Sequence, residues 1–144
     1  MQREVYSGRL KFYGEEHSST IRAALNLAAS LVALKSYQEG RSIMLKMTPV
    51  ARRVLGDTDR LTFKMRLNYA TTLWMDAGAT LDDLREAMTT LEEAERTARR
   101  VFGGAHPLTG MLEQHLRAAQ SALRARETPS PSGTTRSIDK IRIL

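Results

Sequence analysis

Cysteine is absent from this chain of 144 residues, which excludes disulfides, thiolate metal sites and cysteine nucleophiles together. Aromatic residues are scarce at 6%, and three histidines, at positions 17, 106 and 115, leave little material for a histidine metal cluster. Proline occurs four times, at 49, 107, 129 and 131, so long stretches are open to unbroken helix. Long apolar runs are lacking as well. The N-terminal Met1-Gln2-Arg3-Glu4-Val5-Tyr6 has no hydrophobic signal core, and the weakly polar stretch from Ala23 to Leu34 is interrupted by Asn26 and Ser30. It falls well short of the ~20 apolar residues of a spanning helix. The expectation is a soluble, cytoplasmic protein with no membrane association.

Familiar catalytic signatures are missing too. No Gly-x-x-x-x-Gly-Lys-Ser/Thr loop, Gly-x-Ser-x-Gly elbow or His-Glu-x-x-His run occurs. The carboxylate pairs Asp82-Asp83 and Glu92-Glu93 are sequence neighbours, so on a helix they diverge. His106, before Pro107, reads as a turn or helix-start residue, and His17 plays the equivalent part. His115 has only Glu113 nearby, at a poor spacing. No enzymatic activity, catalytic residue, cofactor or metal site is expected.

Hydrophobic residues make up 42% of the chain, sufficient for a core. The net charge of +6 is unevenly spread: residues 1–72 carry +6, residues 73–127 carry −2 and residues 128–144 carry +2. A basic half followed by an acidic segment suits packing against neighbours of opposite sign.

The sequence repeats itself. Ala51-Arg52-Arg53-Val54-Leu55-Gly56 returns 47 residues later as Ala98-Arg99-Arg100-Val101-Phe102-Gly103, and Leu25-Asn26-Leu27-Ala28 returns 42 residues later as Leu67-Asn68-Tyr69-Ala70. Phe12-Tyr13-Gly14 stands 42 residues before Val54-Leu55-Gly56, and Thr20, Thr62 and Thr109 each follow their glycine by six. Three copies of one boundary are present. The five extra residues of the longer period fall between Trp74 and Leu84.

Each unit reads as two helices. Ile21, Ala24, Leu25, Ala28, Leu31 and Val32 recur at helical spacing, and Ser36 is placed to start a second helix that ends at Gly56, suited to a left-handed cap. Thr62 to Ala77 form the next helix, after which Thr80 or Asp82 caps one running from about Asp83 to Phe102. Pro49 predicts a kink near Lys46 or a restart at Thr48. Small residues at Ala28, Gly40, Ala70, Ala87 and Ala94 allow close helix approach. Residues 107–126 give one further helix, residues 1–13 look like the last helix of an incomplete unit, and Thr128 onward reads as a linker.

Leu25-Asn26-Leu27-Ala28, Tyr37-Gln38-Glu39-Gly40 and Val54-Leu55-Gly56 together resemble the 42-residue tetratricopeptide-type repeat of kinesin light chains. Phe102-Gly103-Gly104-Ala105-His106-Pro107-Leu108-Thr109 keeps that family's boundary best, whereas the boundary after Gly14 lacks the proline and that after Gly56 lacks both histidine and proline. The resemblance implies an all-α, right-handed helical-repeat solenoid of about five helices with a disordered C-terminal tail. Its units would be a half repeat at 1–14, repeats at 15–56 and 57–103, a half repeat at 104–127 and a flexible tail at 128–144.

The resemblance also implies a peptide-binding groove lined by the first helix of each unit. The positions it assigns are Arg22, Leu25, Ala29, Val32 and Ala33 in one unit and Lys64, Leu67, Thr71, Trp74 and Met75 in the next. Asn26 and Asn68 take the places of polar side chains near the bound peptide. Leu25 and Ala29 stand where a carboxylate-clamping lysine and asparagine would be needed, so that variant of the groove is not implied. Trp74 has two readings, core packing or an anchor for an apolar peptide side chain. The function expected is a non-catalytic scaffold for a protein or peptide, with self-association or membership of a longer array because fewer than three complete repeats are present. The alternative is nucleic-acid binding by a basic face of Arg52, Arg53, Arg60, Lys64 and Arg66.

Overall fold

The computed structural model describes residues 2–127. The tail expected at 128–144 lies outside the described residues. Six helices follow one another: α1 (Gln2–Tyr13), α2 (Ser18–Ala33), α3 (Tyr37–Leu55), α4 (Arg60–Trp74), α5 (Leu81–Phe102) and α6 (Pro107–Glu127). The count of about five is corrected to six: α1 and α6 stand in the half units, and the two whole units supply two helices each. The fold is all-α, and each helix packs mainly on its sequence neighbours.

Two rows result. α2, α4 and α6 lie side by side, α2 against α4 and α4 against α6. By contrast, α1 and α3, and α3 and α5, have no Cα atoms within 8 Å of each other. The inner row is therefore tight and the outer row splayed. The core runs between the rows, with Ile21, Met44, Met47, Phe63, Met65, Leu73, Leu84, Leu91 and Leu112 fully buried. Small residues set its spacing. Ala28, Ala70, Ala87 and Ala94 are 0% exposed, and at the buried Gly40 an added Cβ would lie 3.4 Å from Thr72 Cγ2. With few aromatics to fill wide gaps, the helices approach closely over these positions.

The repeated boundary recurs as one chemical device. Gly14, Gly56 and Gly103 have φ of 86°, 93° and 91°. Gly56 and Gly103 pair these with ψ of 161° and 162°, so the expected left-handed cap is replaced by an extended conformation that essentially only glycine adopts. Three residues further on, His17 Nδ1, Asp59 Oδ1 and His106 Nδ1 accept hydrogen bonds from the backbone N–H two positions ahead, at 3.0, 2.8 and 3.1 Å. Each caps the helix that follows. Next, the hydroxyls of Thr20 and Thr62 reach back 11 residues to the Arg9 and Ala51 carbonyls, at 3.1 and 3.4 Å. These bonds tie the two whole units to their predecessors, whereas the Thr109 hydroxyl of the last unit has no partner among the described residues.

Pro49 does not interrupt α3, which is continuous from Tyr37 to Leu55, so no restart occurs at Thr48. The missing backbone bond costs ~3 kcal/mol. Burial of Met44, Met47, Val50 and Ala51 on both sides of the proline holds the helix together. Thr80 starts α5 through a capping box, its hydroxyl accepting from Asp83 N at 3.0 Å while the Asp83 carboxylate accepts from Thr80 N at 3.1 Å. The longer α4–α5 connection is pinned by Arg126, whose Nη2 donates to the Ala79 carbonyl at 2.6 Å. No described helix is long and apolar enough to cross a membrane.

Candidate functional site

The inner row presents one side of α2, α4 and α6. Offsets of 42 and 47 residues align Arg22 with Lys64 and Met111, Asn26 with Asn68 and His115, and Ala29 with Thr71 and Ala118. Arg22, Asn26, Ala29, Ala33, Lys64 and Met75 are exposed, as are Met111 and Gln114 on α6. Val32, Asn68 and Trp74 are half-buried, whereas Leu25, Leu67 and Thr71 are buried in the floor.

Two of the polar positions are engaged with their own helix. Asn68 Nδ2 donates to the Lys64 carbonyl at 2.9 Å, and the Thr71 hydroxyl donates to the Leu67 carbonyl at 2.8 Å. Trp74 packs partly against the core and partly against α6, where its ring meets His115. A cleft of about 210 Å³ opens there, lined by Trp74, Gln114, His115 and Ala118. Trp74 Nε1 and His115 Nδ1 are both buried without a hydrogen-bond partner among the described residues. Burial pushes the His115 imidazole below its ordinary range, so the ring is neutral near pH 7. Gln114 and Ala118 are not among the residues the sequence singles out, and His115 stands there only as a histidine without a well-spaced carboxylate. The 47-residue offset that carries Asn68 onto His115 was the available signal.

The basic residues between 52 and 66 do not share one open face. Arg53 Nη2 pairs with Glu16 at 2.7 Å, Arg60 lies over the Phe102 ring at 5.8 Å, and Lys64 belongs to the inner row. Arg52 Nε bonds Asp57 at 2.7 Å, which holds that carboxyl below the usual carboxylate range. Arg66 turns inward and is only 5% exposed.

Charge does join the rows and units. Arg41 of α3 reaches Asp83 of α5 at 3.3 Å across the outer gap, and Arg99 of α5 meets Glu113 of α6 at 3.1 Å. Among the described residues no group of three or more histidine and carboxylate side chains could hold a metal. A scan against protein-family models finds no match to this chain, and a search of curated proteins finds none either.

Proposed function

We propose that the chain is a non-catalytic interaction scaffold of tetratricopeptide type, similar to the right-handed repeats of kinesin light chains, that holds an extended peptide on the inner row. The observation that carries this reading is the Trp74–His115 cleft, an apolar recess with two buried ring nitrogens lacking partners. An apolar side chain of the peptide fits beside Trp74, against Gln114, His115 and Ala118. Arg22 and Lys64, exposed on the same row, favour acidic residues next to that anchor. Tight packing of α2, α4 and α6 supplies the pre-organisation that limits the entropic cost of binding.

The basic-face alternative has less in its favour, since Arg53 is paired, Arg60 covers an aromatic ring and Arg66 is buried. Affinity capture with the native chain and with a Trp74→Ala, Asn68→Ala variant tests the proposal. Loss of bound proteins from the variant is expected, and recovery of an identical set from both overturns it. Either self-association or membership of a longer repeat array is expected as well, and sedimentation of a cooperative, strictly monomeric chain would count against it.

A further inference from the structure

A second recess lies on the opposite side of α4. Where α3 and α5 splay, two adjoining clefts of about 180 and 280 Å³ open onto α4 and share Arg52, Arg66 and Glu93 in their walls. Arg66 is the unusual member, a guanidinium whose side chain is 6% exposed and whose nearest carboxylate partner, Glu93, stands at 3.8 Å. That is beyond a hydrogen bond, so a buried cation is left without close compensation. Burial depresses its proton affinity, the Arg52 charge adds to this, and Asp57 and Glu93 oppose it.

The outer cleft is lined by Arg52, Arg66, Arg96 and Arg100 against Asp57 and Glu93, which leaves two positive charges. The adjoining cleft has Met44, Leu45 and Pro49 in its wall. There the Thr48 hydroxyl is buried without a partner, and Pro49 has no N–H for the Leu45 carbonyl. Glu86, on the same wall, already accepts from the Tyr69 hydroxyl.

We propose that this outer recess binds a phosphate monoester, with the phosphate among Arg66, Arg52, Arg96 and Arg100 and an apolar body against Met44, Leu45 and Pro49. The charge fits, because a monoester carries ≈ −1.5 to −2 near neutral pH while a carboxylate or a phosphodiester carries only about −1. Guanidinium forks match phosphate oxygens, and a buried fork gains most when its anion arrives. The ester is either a free small molecule or a phosphorylated side chain of a peptide.

Calorimetric titration of the full chain with phenyl phosphate, inorganic phosphate and a phosphotyrosyl peptide separates these sources. Phenyl phosphate is expected to bind at least about tenfold tighter than inorganic phosphate. The exposed pair Arg96→Gln, Arg100→Gln should weaken it by about tenfold or more without altering the melting temperature, and Arg66→Met should abolish it. A peptide about tenfold tighter than phenyl phosphate identifies the phosphorylated side chain, and equal affinity identifies the small molecule. Absence of binding at millimolar phenyl phosphate overturns the proposal, as does unchanged affinity in the Arg96/Arg100 variant. Preferential binding of single-stranded DNA, a phosphodiester, overturns it too.

Discussion

The Trp74 indole meets the His115 imidazole edge to face, 5.9 Å between ring centroids and 70° between planes, and joins the fourth helix to the sixth at the inner row. Neutrality of His115 is part of that contact, since burial disfavours its charged form. The unfolded chain takes up this proton near pH 6.5, the folded chain only at lower pH. Stability contributed by the neutral ring is therefore present above about pH 6.5 and lost as pH falls below it. Urea midpoints measured between about pH 7.5 and about pH 5.5 should fall for the native chain and fall less for His115→Leu. Equal slopes would mean that the ring is not desolvated.

Thr62 and Thr109 occupy the same repeat position and are both 0% exposed, yet only Thr62 has its hydroxyl bonded. Thr62→Val should cost about 1 kcal/mol, whereas Thr109→Val should be neutral or stabilising by about 1 kcal/mol, because it removes an unsatisfied buried hydroxyl. Chemical denaturation of the two near-isosteric variants gives the comparison. Identical losses would show that Thr109 finds a partner in solution.

Gly56→Ala and Gly103→Ala should each destabilise by about 1–3 kcal/mol, since both place a Cβ in a backbone region that only glycine tolerates well. Neither glycine has a neighbour within 4 Å of an added Cβ, so the cost is conformational and not steric crowding by other elements. Gly40→Ala is the contrast. Its Cβ would make ordinary contacts at 3.4 to 3.7 Å inside a helix, and it should stabilise by up to about 1 kcal/mol. Thermal melts of the three variants rank them.

Tyr69 faces the outer recess with its hydroxyl on Glu86, and its pKa is pushed up to about 12, first by burial and then by the hydrogen bond and the charge of that carboxylate. The folded state holds this proton more tightly than the unfolded one. Its stabilising contribution is complete below the ordinary tyrosine value near 10 and is lost as pH rises toward about 12. The stability difference between the native chain and Tyr69→Phe should accordingly shrink over that alkaline interval in paired urea titrations. A constant difference would count against the shift.

The helical order and the boundary chemistry were legible because they are local. A glycine, a capping residue three positions on and a threonine three further on recur in the sequence; the glycine angle and the capping bond recur at all three boundaries, and the threonine bond at the first two. The restart at Thr48 does not occur because the buried methionines and valine flanking Pro49 act through tertiary contact, which outweighs a local breaker. Arg66 was read as one of a row of surface cations. α4, touched by α2, α3, α5 and α6, buries nearly its whole circumference, polar side chains included, and periodicity cannot show that. The α6 side of the Trp74 cleft was within reach of the repeat offset, but which nitrogens go unpartnered depends on packing alone.

The unequal spacing of the two rows has a mechanical side. α2, α4 and α6 touch and act as a spine, while across the outer gap α3 and α5 are linked by the Arg41–Asp83 side-chain pair. Bending the stack about that spine changes the outer gap far more than the inner surface, as the ribs of a fan part while its pivot stays closed. The recess above Arg66 therefore lies on the side of the stack where neighbouring units are not in backbone contact.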